Sequence, residues 1–145
     1  MRLLLVDDEI QLIRAVRRIL LGGNLADLEI TGATTSAEAI LHLVDAPYDA
    51  VIADERLAGS SGSALLREVA VRWPATRRIL WSGGRLPVEP RTWSSPHVVL
   101  QKPASQEDLE AAIAGPLPVL AAAGPRPSLV LGMPARARQG SGGSR

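Results

Sequence analysis

Four short apolar runs, each closing on a polar residue, constrain this chain more than anything else in it. Residues 3–6 (Leu-Leu-Leu-Val) run into Asp7 and Asp8, and residues 50–53 (Ala-Val-Ile-Ala) run into Asp54. Residues 78–81 (Arg-Ile-Leu-Trp) run into Ser82, and residues 97–101 (His-Val-Val-Leu-Gln) run into Lys102 and Pro103. Runs with consecutive apolar residues, rather than an apolar residue at every second position, are the pattern of parallel strands covered on both faces. A fifth candidate, residues 28–32, follows the first run.

The segments between the runs carry helical spacing. Ile10, Ile13, Val16, Ile19 and Leu20 mark one apolar face over residues 10–21, and Gly22-Gly23-Asn24 ends it. Thr35 and Glu38 have capping-box spacing and open a helix over residues 36–44. Leu65, Leu66, Val69 and Trp73 give the inward face of a helix over residues 63–73, closed by Pro74. Ser105 and Asp108 cap a last helix over residues 106–114. Strand and helix alternate five times. The expected class is therefore α/β, a doubly wound five-stranded parallel sheet with helices on both faces. One segment breaks the rhythm. Residues 85–96 hold Pro87, Pro90 and Pro96, which leave room for only a turn or two of helix.

Composition narrows the setting. No apolar run approaches the roughly 20 residues that span a bilayer, no signal-peptide pattern opens the chain, and there is no cysteine. A cytoplasmic protein without membrane attachment is expected. Residues 115–145 contain no acid and the four arginines Arg126, Arg136, Arg138 and Arg145, within a stretch rich in Pro, Gly, Ala and Ser. This stretch reads as a disordered basic tail, although the apolar pieces 117–123 and 129–131 could dock. The remaining 1–114 carries 12 basic and 15 acidic residues. It shows no basic face for nucleic acid.

In an α/β sheet of this kind the working crevice lies at the carboxyl ends of the strands. Asp7, Asp8, Asp54, Ser82 and Lys102 all fall there. Acids at a helix start and a serine before glycine also serve as caps and turns, but these residues close four different strands. Crowded carboxylates repel one another and call for a cation, and an oxygen-only donor set suits Mg²⁺. A carboxylate can accept a phosphoryl group, in a transfer that needs mainly positioning and charge neutralisation. Lys102 is the single lysine beside fifteen arginines. A compact ammonium at that position differs in kind from a guanidinium.

Taken in order, five pieces resemble the receiver domains of two-component response regulators. They are Leu4-Leu5-Val6-Asp7-Asp8-Glu9, Tyr48 through Asp54, the glycine Gly62 eight residues after Asp54, Trp81-Ser82-Gly83, and Lys102-Pro103. The resemblance covers residues 1–114 and implies a flavodoxin-like, CheY-like fold. It makes Asp54 the phosphoacceptor. It also implies a Mg²⁺ site on Asp7, Asp8, Asp54 and the backbone carbonyl of Arg56, with Ser82 as switch hydroxyl and Lys102 as phosphate partner. The implied donors are a sensor histidine kinase or a histidine phosphotransfer protein. Output would go to a downstream protein not identified by the sequence, without direct nucleic-acid binding, and the chain would not be an enzyme acting on outside substrates. The sequence departs from the family at Leu57-Ala58, where Met-Pro is usual, at Val99, where a switch aromatic is usual, at Ala104, where an aromatic is usual, and in the proline-rich segment 85–96. These departures keep open an alternative, a phosphorylation-independent interaction module on a receiver scaffold. A phosphohydrolase reading fares worse, since Arg56 stands where a second acid would protonate the leaving group.

Overall fold

The computed structural model describes residues 1–83 and 98–117, together with the strand Leu129–Leu131. The elements run β1 (Arg2–Val6), α1 (Ile10–Leu21), β2 (Glu29–Ala33), α2 (Ser36–Asp45), β3 (Ala50–Asp54), β4 (Arg56–Leu57), β5 (Ser60–Ser61), α3 (Gly62–Arg72), β6 (Arg77–Ser82), β7 (Val98–Gln101), α4 (Gln106–Ala114) and β8 (Leu129–Leu131). The large sheet has the order β2-β1-β3-β6-β7-β8, and every pairing in it is parallel.

The double winding follows from where alternate residues go. Leu3 and Leu5 of β1, Ile52 of β3, Ile79 and Trp81 of β6 and Leu100 of β7 face one apolar layer, filled by Ile13, Val16 and Leu20 of α1 and by Leu109, Ala112 and Ile113 of α4. Leu4 and Val6, Val51 and Ala53, and Leu80 face the other, filled by Ala39 and Leu43 of α2 and by Leu65, Leu66 and Val69 of α3. Both faces of each central strand are thus buried, which is why their sequences show no alternation.

The caps act close to where the sequence puts them. Thr35 Oγ1 accepts from the Glu38 N–H at 3.0 Å, and Ser105 Oγ accepts from the Asp108 N–H at 3.0 Å. The Glu38 carboxylate accepts from the N–H of Thr34 at 2.8 Å, one residue before the capping position. Ser61, a cap not anticipated from sequence, accepts from the Ala64 N–H at 3.1 Å and starts α3.

Three expectations need adjustment. Ile10 and Ile19, assigned to the inward face of α1, are exposed; only Ile13, Val16 and Leu20 reach the core. Trp73 closes α3 as its cap rather than lying within it, half-buried, with the Arg72 guanidinium 4.5 Å from its ring centroid. The third concerns the tail. The five expected strands all form, but Leu129–Leu131 adds a sixth by pairing with Val98, Val99 and Leu100 of β7. A short apolar piece meets an otherwise open sheet edge there, and pairing satisfies backbone groups that would stay unpaired. The proline-rich segment 85–96, His97, and the tail residues 118–128 and 132–145 lie outside the described residues. No helix among the described residues is long and apolar enough to cross a membrane.

Leu66 is fully buried between α3 and the sheet, whereas Val71 on the same helix is 79% exposed. Leu66→Ala should cost about 2–5 kcal/mol in denaturant unfolding, and Val71→Ala within about 0.5 kcal/mol. Equal costs would contradict this placement of α3.

Candidate functional site

The carboxyl ends of β1, β3, β6 and β7 form the floor of a cleft of about 540 Å³, lined by Asp8, Glu9, Asp54, Glu55, Arg56, Ser82, Gly83 and Lys102. Asp54 is the last residue of β3 and is 7% exposed. Its Oδ2 lies 3.2 Å from Lys102 Nζ, and its Oδ1 accepts from the Arg56 N–H at 3.3 Å. Asp7, directly after β1, is 3% exposed. Its Oδ1 accepts from the Glu9 N–H at 2.8 Å, closing the turn into α1. Its Oδ2 is buried without a hydrogen-bond partner among the described residues and lies 3.6 Å from the same Lys102 Nζ. One ammonium therefore bridges carboxylates from two strands.

Sheet register sets this convergence. Asp54 pairs with Trp81, and Ser82 with Gln101. Beyond the strand end, the Lys102 N–H donates to the Ser82 carbonyl at 2.9 Å. The Lys102–Pro103 peptide is cis. Gly62 explains the spacing of eight after Asp54. It opens α3 directly against the Asp54 backbone, and a Cβ there would be driven into the Asp54 carbonyl oxygen. A larger residue would have to push α3 away from the acceptor strand.

Burial raises the Asp7 carboxyl from its ordinary 3.8 to about 6. Loss of water is the main cause and the nearby Asp54 charge adds to it, while the Glu9 N–H and the Lys102 ammonium act in the opposite direction. Asp7, Asp8 and Glu9 each bring one carboxylate oxygen within 4.8 Å of the others. With the unpartnered Asp7 Oδ2, this oxygen-only set at the edge of the cleft fits a hard divalent cation.

The structure brings the site residues expected from sequence to one end of the sheet. Asp8, Asp54, Arg56, Ser82 and Lys102 line the cleft, and Asp7 sits beneath it, reaching Asp54 through Lys102. Sequence reasoning gave no role to Glu9, the third acid of the opening triplet, which joins the acidic cluster. Glu55 lines the cleft but is committed elsewhere. Its Oε1 accepts from the Ser63 N–H at 2.9 Å and from the Ser63 hydroxyl at 2.6 Å, which holds the start of α3. Val99, where the resemblance would lead one to expect an aromatic, is fully buried.

No protein-family model matches the chain, and no curated protein does. Solved structures do. A response regulator receiver domain from Clostridium thermocellum is 24% identical at a TM-score of 0.67, over 77% of this chain and 90% of that one. The signal receiver domain of an HD domain-containing protein from Pseudomonas fluorescens Pf-5 is 23% identical at 0.69, over 77% and 89%. A response regulator from Burkholderia pseudomallei, whose structure holds a phosphorylated aspartic acid, a calcium ion and citrate, is 20% identical at 0.69, over 77% and 65%. The chain has the CheY-like receiver-domain fold.

The raised Asp7 carboxyl has a stability consequence. The folded protein holds this proton more tightly than the unfolded chain does. Ionising Asp7 therefore weakens the metal-free fold as pH rises from about 4 to about 6, and fully above that. Without divalent cations, Asp7→Asn should be more stable than wild type at pH 8 by an amount of order 2–3 kcal/mol. That advantage should shrink toward pH 4.5. Denaturant unfolding at both pH values tests this, and parallel behaviour of the two proteins would refute it.

Proposed function

We propose that this chain is a receiver of two-component phosphorelay signalling. In this reading Asp54 accepts a phosphoryl group from a sensor histidine kinase or a histidine phosphotransfer protein, and the signal passes on by protein–protein contact in the cytoplasm. The observation that carries it is the single ammonium of Lys102, 3.2 Å from the Asp54 carboxylate at the mouth of an acid-lined cleft. A lone buried carboxylate would be a poor nucleophile toward an anionic donor. One already paired with a cation, and open on the cleft side, can be approached.

The transfer balances simply. An Asp54 carboxylate oxygen forms a bond to phosphorus, the donor's P–N bond breaks, and its electron pair stays on the imidazole nitrogen. The negative charge gathers on the phosphoryl oxygens, where Lys102 offsets it. Ser82, buried at the end of the neighbouring strand and lining the cleft, would offer its hydroxyl to a phosphoryl oxygen. Asp7, Asp8, Asp54 and the Arg56 carbonyl are the residues that would hold Mg²⁺, with Glu9 beside them. When bound, the ion neutralises the crowded carboxylates and the incoming phosphate. Water attack on phosphorus later releases phosphate and restores Asp54. The chain thus assists its own phosphorylation and dephosphorylation, and is not an enzyme with an outside substrate.

A second reading, an interaction module that works without phosphorylation, is favoured by Val99, whose small buried side chain cannot swing as an aromatic would. Incubation with Mg²⁺ and acetyl phosphate separates the two. Intact-mass spectrometry should show one added phosphoryl group in wild type and none in Asp54→Asn. Lys102→Ala should slow the modification by about a hundredfold, the order seen when one charge-stabilising donor is removed. An unmodified wild-type chain would leave the second reading standing.

A further inference from the structure

Trp81 is a costly choice for the position it fills. It lies in β6 just before Ser82, is 7% exposed, and packs in the apolar layer with α1 and α4. Its indole Nε1 is buried and has no hydrogen-bond partner among the described residues. An unpaired buried donor is destabilising, and leucine or isoleucine would fill an apolar position without one. What tryptophan supplies and leucine or isoleucine cannot is the face of a ring, and that face is in use. The Lys102 Nζ stands 4.8 Å from the ring centroid.

The aliphatic stem of Lys102 is held from another side. A Cβ on Gly83 would come 3.3 Å from Lys102 Cδ, so the glycine lets the stem lie close against the backbone after β6. Lysine side chains ordinarily sample many rotamers, and ordering one is entropically unfavourable. Here the stem rests on Gly83 and the ammonium over Trp81, which leaves the head group at 3.2 Å from Asp54 and 3.6 Å from Asp7. The side chain keeps only 22% of its surface exposed.

We infer that Trp81 is a positioning residue for Lys102: its ring holds the ammonium at the acceptor carboxylate and so sets how readily Asp54 accepts a phosphoryl group. The inference rests on the phosphoacceptor reading for its functional part and on Trp81–Lys102 geometry for the rest. Cation–π attraction is strongest for tryptophan and grows when the cation is partly out of water. Trp81 does not touch the reacting atoms; it acts through Lys102.

The test uses the full chain with isotopically labelled lysine. Lys102 is the sole lysine, so its ε-methylene gives the only lysine ε signal in the spectrum. That signal should lie upfield of its position in the denatured chain, because the ring shields it. Trp81→Phe should keep part of the displacement, and Trp81→Leu should abolish it. In parallel, the rate of modification at saturating acetyl phosphate and Mg²⁺ should fall about tenfold in Trp81→Leu and recover to within about threefold in Trp81→Phe, the order expected of a half-desolvated cation–π pair. A merely structural tryptophan would change the melting temperature and leave the lysine signal where it was; that result overturns the inference. If Trp81→Leu fails to fold, the wild-type signal and the Trp81→Phe displacement decide alone, and an unshifted wild-type signal refutes the pairing. A wild-type chain that acetyl phosphate never modifies counts against the phosphoacceptor reading, while the lysine signal still judges the Trp81–Lys102 contact separately.

Discussion

Two carboxylates leave water at the ends of β1 and β3, and one ammonium on β7's outgoing loop reaches both. Removing an ion from water costs several kcal/mol even after the protein relaxes, and the cost is offset only by close opposite charge and hydrogen bonds. Asp54 has both, from Lys102 and the Arg56 N–H. Asp7 has one oxygen satisfied by the Glu9 N–H and the other facing Lys102 at a distance too long for a good hydrogen bond. The site is therefore under-compensated on the Asp7 side. That imbalance raises the Asp7 carboxyl, and it leaves a carboxylate oxygen that a further cation could take up.

Holding this arrangement requires the whole sheet. The acids come from β1 and β3, the hydroxyl from β6 and the ammonium from beyond β7, so four strands must agree in register. A slip of one residue in any of them would turn its terminal polar side chain to the opposite face. The two apolar layers prevent that slip, because β1, β3 and β6 bury both of their faces against helices and β7 buries Val98 and Leu100 in the layer with α1 and α4. Packing and chemistry are thus linked. The close seat of α3 on the Asp54 backbone through Gly62 and the grip of Glu55 on Ser63 fix the acceptor strand from the other side.

Most of this is legible in the sequence because polar residues interrupting apolar runs are conspicuous. Asp7, Asp54, Ser82 and Lys102 stand out for that reason, and the capping signals at Thr35 and Ser105 place two helices nearly to the residue. What stays hidden has physical causes. A strand buried on both faces loses its period of two, so the sequence cannot say which layer receives Trp81, and its contact with Lys102 depends on that direction. Ile10 and Ile19 fit a helical stripe, yet the sheet presents room for only three residues of α1. Leu129–Leu131 is too short to carry periodicity, and its pairing with β7 spans a separation that no local signal reports. Glu9 is the residue that caps α1, and nothing in the sequence separates that place from a place in the acidic cluster.

The position of β7 bears on how the state of the site can reach the rest of the molecule. Its residues pair with β6 on one edge and with β8 on the other, as Leu80 and Val130 flank Val99. A strand bonded on both edges, carrying a small and fully buried side chain, has little freedom to rearrange. Lys102, just beyond its end, faces two ways. It lines the acidic cleft, and with Gly83 and Trp81 it also lines an apolar groove of about 500 Å³ between α1 and α4, beside Leu12, Val16, Ile19 and Leu109. The ammonium that faces Asp54 and Asp7 on the acidic side is the one that stands over Trp81 on the apolar side, because the same four-carbon stem serves both. Ring and acceptor thus hold one charge in common.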